Sequence, residues 1–250
     1  MHTIGEPFVE LASTESTNTL AMREAGSGKA TPGTAWFAHE QTAGRAQRGR
    51  AWQSEPGSNL ALSILLAPPS PDPSNAFPLS AATVLACLDA LGEVGLSDLF
   101  VKWPNDIYHG DRKMGGILIE NVVRGSRWIH AVAGIGINVN QTRFDAGLPN
   151  PVSIRQAMGV WEDPVALART ICKRLETRLN LLDSEGAVGL MEEFNGRLYG
   201  AGRQVEFRKD GVVFRAVPRK VLPDGLLSLE GESPMTFRHG EVEWVLNSGT

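Results

Sequence analysis

The triplet Gly200-Ala201-Gly202 divides this chain into two textures, and that change constrains the fold more than any other feature. Ahead of it, helix-like and strand-like stretches are mixed. Beyond it, residues 204–208, 212–217, 225–229, 235–237 and 242–246 read as short strands at close spacing, with turn chemistry at Lys209-Asp210-Gly211 and Pro223-Asp224-Gly225. That pattern predicts a small antiparallel barrel of about 50 residues, too small to hold much core alone, so it is expected to pack on the larger part. The expected division is residues 1–198 and 199–250.

In the larger part, Ser16, Thr17 or Asn18 can cap a short helix ending near Gly26. Strands are expected over 34–40, 59–66, 100–103, 116–123 and 128–138, the last two placed to join through Arg124-Gly125-Ser126. Pro78 opens a helix with Leu79, Ala82, Leu85, Leu88 and Leu91 at helical spacing. Pro164 opens another, with Val165, Ala168, Ile171, Cys172, Leu175, Leu179 and Leu182 on one face, and a shorter helix covers 188–194. Pro68 to Pro73 is a proline-rich connection. The whole reads as α+β, a mixed β-sheet flanked by helices with a small C-terminal β-barrel.

The longest apolar run, 60–67, is interrupted by Ser63 and too short to span a bilayer, and no signal-peptide pattern opens the chain. The only two cysteines, Cys87 and Cys172, fall in apolar helical patterns and read as buried small hydrophobes in a reducing compartment. The cytoplasm is the expected setting, with no membrane partner.

Gly44-Arg45-Ala46-Gln47-Arg48-Gly49-Arg50, followed by Ala51-Trp52, puts three arginines between glycines in a chain of net charge -4. A guanidinium meets carboxylate or phosphate oxygens two at a time, so the loop suits a small anionic ligand; alone it also reads as a solvated basic loop. A pI near 5.8 argues against a dedicated nucleic-acid binder. Two glycine motifs are decoys. Gly26-Ser27-Gly28-Lys29-Ala30 lacks P-loop spacing and the hydroxyl after the lysine, and Gly134-Ile135-Gly136-Ile137-Asn138 lacks the third glycine of a dinucleotide fingerprint. The histidines and cysteines show no metal-ligand spacing, and there is no nucleophile elbow.

Lys102-Trp103-Pro104-Asn105-Asp106 and Lys113-Met114-Gly115-Gly116 are stronger signals. Pro104 leaves Asn105 and Asp106 at a strand end, and Lys113 enters a glycine pair that permits close ligand approach. Taken singly, Lys113 is a surface lysine, Asp106 a turn cap, and Asn138 either a turn cap or a ligand contact.

Together with Ser16-Thr17-Asn18 and Gln41-Thr42-Ala43-Gly44-Arg45, these segments resemble the biotin–protein ligase family in order and approximate spacing, over roughly residues 10–195. The resemblance implies a class II synthetase-like catalytic domain with an SH3-like barrel. It further implies activation of biotin by ATP to biotinyl-5'-adenylate, with Mg²⁺, and transfer to a lysine of a biotin carboxyl carrier domain. By motif match, Arg45, Arg48 and Arg50 neutralise carboxylate and phosphates, and Lys113 holds the charge that develops at the acyl oxygen. Ser16, Thr17, Asn18 and Gln41 match residues that bind the ureido and tail end of biotin, next to Arg45, Ala46, Gln47, Lys113, Gly115 and Gly116. Trp52 stacks on adenine, Asn105 and Asn138 orient ribose or phosphate, and Glu241 approaches the nucleotide. Asp106 either holds Mg²⁺ or takes the proton from the carrier lysine. With no stretch for a winged helix-turn-helix, no DNA partner is expected, and the oligomer is a monomer or homodimer.

The family's loop reads Gly-Arg-Gly-Arg-Arg-Gly-Arg, so Ala46 and Gln47 are departures. Ala46 makes a left-handed backbone there costly, and Gln47 removes a charge that helps retain the adenylate. The alternatives are a lipoate or octanoate ligase, and a non-catalytic RNA- or biotin-binding module.

Overall fold

The computed structural model describes residues 3–70, 72, 76–231 and 233–245. Pro71 and Pro73 of the proline-rich connection, and Leu246 at the end of the last predicted strand, lie outside the described residues.

Seven strands form the main sheet: β1 (Phe8–Leu11), β2 (Ala35–Ala38), β3 (Leu60–Leu66), β4 (Leu99–Lys102), β5 (Asp106–His109), β6 (Arg112–Arg124) and β7 (Arg127–Ile137). Their order is β1-β2-β3-β7-β6-β5-β4, with β1 and β2 parallel and every other pairing antiparallel. This is the expected mixed sheet. β6 and β7 do form the hairpin through Gly125, but β6 begins at Arg112 rather than Gly116.

Helix α1 (Thr17–Gly26) covers one face of the sheet, packing on β2, β3 and β7. Ser16 is its N-cap, accepting from the Thr19 amide at 3.5 Å. The opposite face carries α2 (Phe77–Glu93), α4 (Pro164–Glu185) and α5 (Ala187–Gly196). Pro78 lies in the first turn of α2, and Asp163 caps α4 through the Val165 amide just ahead of Pro164. The α2 helix is apolar on nearly all sides because it is buried between the sheet and α4. Cys87 and Cys172 sit in this layer as free, buried thiols, and burial raises the pKa of both. The short α3 (Ile154–Met158) was not expected, although Ser153 and Gln156 make a capping box and Gly159 ends it in a left-handed turn.

Period-two alternation sorts the central strands. Leu60, Leu62, Ile64 and Leu66 of β3, and Ala131, Ala133, Ile135 and Ile137 of β7, join the main core under α2 and α4. Their neighbours face α1, where Leu65 and Val132 pack with Ala21, Ala25 and Trp36. On that same face β3 presents Ser63, and β7 presents Gly134 and Gly136. Half of the α1 face is therefore apolar and the other half is bare.

The C-terminal part is a five-stranded antiparallel sheet, order β11-β10-β9-β8-β12, from β8 (Val205–Lys209), β9 (Val212–Val221), β10 (Leu227–Glu230), β11 (Pro234–Phe237) and β12 (Glu243–Trp244). It is the expected sheet, consistent with an SH3-like barrel. Asp210 and Gly211 both adopt positive φ in the β8–β9 turn. Its core residues Phe207, Leu227, Leu229 and Phe237 are continuous with the main core. Trp103 Nε1 donates to Gly225 O at 3.0 Å, and Asn195 exchanges two hydrogen bonds with the Val221 backbone.

Candidate active site

The bare half of the sheet face is the floor of a cavity of about 480 Å³. In register, Gly136 pairs with Gly116 of β6, and Gly134 with Ser63 of β3 and Leu118 of β6. The Gly-Ile-Gly-Ile run dismissed above as a failed fingerprint thus has a strand meaning: isoleucines to the core, glycines to the cavity. A Cβ on Gly134 would stand 2.3 Å from Asn18 Oδ1, and one on Gly136 would stand 2.6 Å from the Trp52 ring. Both glycines are required by close approach.

At one end of the cavity, polar side chains form a continuous chain. Gln41 Oε1 accepts from the Thr17 amide (2.8 Å) and hydroxyl (3.1 Å). Ser63 Oγ lies 2.8 Å from Thr17 Oγ1 and 2.7 Å from Asn18 Oδ1. Asn18 Nδ2 donates to Leu118 O and to Glu120 Oε2 at 2.9 Å. Ser63 has one proton for two acceptors, so the chain retains lone-pair capacity for a polar ligand group.

The arginine loop is a hairpin. Trp52 N donates to Gly44 O and Ala46 N to Arg50 O, around a turn at Gln47–Gly49. Ala46 is extended, with φ -125°, in keeping with the cost of a left-handed backbone there; the left-handed residues are Arg48, with φ 59°, and Gly49, with φ 70°. Arg45 lines the cavity and has a carboxylate partner within the protein. Its guanidinium makes a two-pronged pair with Glu120, at 2.9 and 3.0 Å. Arg48 reaches the C-terminal sheet, where a Cβ on Gly240 would lie 2.0 Å from its Nη2. Trp52 rests on Gly136 at the floor, with its Nε1 buried and unpartnered among the described residues.

At the other end, Asp106 opens β5 opposite Gly116, and Lys113 Nζ meets Asp106 Oδ1 at 2.6 Å. A Cβ on Gly116 would be 3.2 Å from that oxygen and 3.8 Å from Nζ, so the glycine leaves room for the pair. Lys102 stands beside them, 5.3 Å from the Tyr108 ring centroid and 5.9 Å from that of Trp244. Burial lowers its pKa to about 8, with Lys113 and Arg50 pushing the same way and Asp106 opposing. His239 lines the same end, edge-on to Trp103 at 6.0 Å, and burial, then Arg48, lower its pKa.

The cavity is lined by Ser16, Thr17, Asn18, Gln41, Arg45, Ala46, Gln47, Arg48, Arg50, Trp52, Asn105, Asp106, Lys113 and Gly116 among the expected residues. Three others stand outside that lining. Gly115 pairs with Ile107 and Ile137, and a Cβ there would lie 2.6 Å from Gly136 O, so the glycine serves strand packing. Asn138 donates to Val152 O at 3.2 Å and stands outside the lining, because its amide ties β7 to the segment before α3. Glu241 accepts from the Arg238 amide at 2.8 Å and closes its own turn. Asn105, although it lines the cavity, donates to Ile117 O at 2.5 Å. Sequence reasoning missed Ser63, Lys102, Glu120, His239 and Trp244. Ser63 had a signal as the lone hydroxyl in an apolar strand, Lys102 opens the Lys-Trp-Pro-Asn-Asp motif, and Glu120 falls in the expected strand 116–123. His239 and Trp244 had none.

Residues 10–138 match the family model described as Biotin/lipoate A/B protein ligase family. The chain belongs to that family. It is 34% identical to the bifunctional ligase/repressor BirA of Escherichia coli over 69% of this chain and 53% of that protein. It is 30% identical to the biotin--[acetyl-CoA-carboxylase] ligase of Paracoccus denitrificans over 88% of this chain and 93% of that protein. The chain thus spans about half the length of its E. coli relative and nearly all of the Paracoccus one. Its fold is that of the Aquifex aeolicus biotin protein ligase solved with biotin and ATP: TM-score 0.80, 22% identity, covering 95% and 98% of the two chains. Among the described residues no helix is long and apolar enough to cross a membrane.

Proposed function

We propose that this chain is a biotin–protein ligase that makes biotinyl-5'-adenylate from biotin and ATP and passes the biotinyl group to a lysine of a biotin carboxyl carrier domain. The observation that carries this reading is the Lys113–Asp106 pair over Gly116, set between a hydrogen-bonding end and a cationic end of one glycine-floored cavity.

In activation, an oxygen of the biotin carboxylate attacks the α-phosphorus, and the bond to the β-phosphate breaks. Two anions meet in that step, and Lys102, Arg48, Arg50 and Lys113 supply the opposing charge. Thr17, Asn18, Gln41 and Ser63 hold the polar head of biotin, while Trp52 offers its ring to adenine. In transfer, the carrier amine attacks the acyl carbon, the bond to AMP breaks, and Asp106 takes the amine proton. Lys113 stabilises the oxyanion meanwhile. Magnesium is held elsewhere by one or two carboxylates plus substrate phosphates, a mode that Asp106 fits, and it would add charge neutralisation at the phosphates. The C-terminal sheet closes the cavity through His239 and Trp244, so residues 1–198 and 199–250 act as one catalytic unit in the cytoplasm, as monomer or homodimer.

The test is transfer to a purified carrier domain with biotin, lipoate or octanoate offered in turn. Biotin alone should label one lysine; labelling with lipoate or octanoate instead would assign the chain to the other branch of its family.

Gln47 lines the cavity without a charge. Gln47→Arg is expected to slow adenylate release about tenfold, the effect of one added charged hydrogen bond of roughly 1.5 kcal/mol. Equal release rates would refute this. Lys102 gives a pH signature: it loses its proton as pH rises through about 8, and ATP phosphates favour the charged form. ATP KM should therefore rise above that pH in the native protein, and Lys102→Met should raise KM at pH 7 and flatten the profile.

A further inference from the structure

Glu120 stands where the polar end of the cavity meets the arginine loop. Its Oε2 accepts from both Asn18 Nδ2 and Arg45 Nη1, and its Oε1 accepts from Arg45 Nη2. We infer that Glu120 is a positioning residue: its carboxylate anchors Arg45, and with it the hairpin that carries Gln47, Arg48 and Arg50, to the amide that shapes the head-group end. The inference rests on the reading that biotin occupies that end of the cavity and ATP the cationic end.

Exposed ion pairs as a class contribute little, but this one differs in three respects. Its geometry is two-pronged, which fixes direction as well as distance. The Glu120 side chain is only 23% exposed. The shared oxygen is also committed to Asn18, a buried side chain held on its other side by Ser63. The loop has few other ties of this kind. Among the described residues, Arg48 and Arg50 have no carboxylate partner, so Arg45 is the loop arginine whose charge is met inside the protein. Arg45 and Glu120 are 75 positions apart, so the pair closes the loop over the floor between α1 and β6. A shift at Glu120 is thereby felt at both ends of the cavity.

Glu120→Gln keeps an acceptor for Asn18 and removes the charge that Arg45 needs. The full-length protein supplies its own reporter, since trypsin cleaves after Arg48 and Arg50 within the loop, while Arg143 is an exposed site elsewhere. Cleavage after Arg48 and Arg50 should be at least about fivefold faster in Glu120→Gln and in Arg45→Gln, with cleavage after Arg143 unchanged. The double variant should be no faster than either single one, because both remove one interaction. In biotin-dependent pyrophosphate exchange, KM for biotin should rise about tenfold, with kcat falling less. Unchanged loop cleavage, additive single effects, or a parallel increase at Arg143 would overturn the anchor. The cleavage result does not depend on turnover. A native protein that shows no exchange, yet whose loop loosens in both variants, keeps the anchor and defeats the ligase reading.

Discussion

Lys113→Ala should slow biotinyl-adenylate formation by about 10²–10³-fold, the usual cost of removing a preorganised group that meets developing charge. The side chain is about one-third exposed and touches Asp106 across a strand pair, so the fold should persist and the melting temperature should move by only a few degrees. Lys113→Arg should recover little, because a planar fork cannot take the position of a compact ammonium. Rapid-quench measurement of adenylate on the enzyme reads the chemical step apart from release. A loss below about fivefold would remove Lys113 from the charge-bearing role.

Gly134→Ala should have the largest structural effect of any single methyl in the cavity. The new Cβ would lie 2.3 Å from Asn18 Oδ1 and 2.8 Å from its Cγ. Asn18 cannot retreat without breaking its bonds to Ser63, Leu118 and Glu120. Overpacking plus an orphaned buried amide costs about 2–4 kcal/mol, or roughly 5–12 °C in melting temperature for a chain of this size. Biotin KM should rise at least about thirtyfold, since the network that receives the head group is displaced. Gly189→Ala in α5 is the control: a Cβ there meets nothing within 4 Å, so it should be neutral or slightly stabilising. Calorimetry and exchange kinetics on the two variants check both statements. Equal behaviour would contradict the close-approach argument.

The parts of the fold that the sequence made legible are those with local causes. Pro164 and the apolar spacing after it announce α4, and the Lys209-Asp210-Gly211 turn announces β8 and β9. The missed pieces are short. Strand β1 is four residues at a sheet edge, β5 is four residues between two turns, and α3 is five residues whose capping box alone could have flagged it.

In the site, residue types were legible but pairings were not. Three arginines in one loop predict an anion site, yet Arg45 is already satisfied by Glu120, a partner that no local pattern reveals. An amide ending an apolar strand must find a partner, and for Asn138, expected as either a turn cap or a ligand contact, that partner is Val152 O. The Gly134 and Gly136 pair failed as a helix-leading motif and succeeded as a strand motif, because period two rather than a phosphate turn governs it.

The central claim is that one cavity joins biotin to ATP. Biotin-dependent exchange of labelled pyrophosphate into ATP by the native, folded protein tests it most directly. The account predicts exchange that requires biotin, saturates with it, and is not supported by lipoate or octanoate. No exchange under those conditions, or exchange indifferent to biotin, would contradict it.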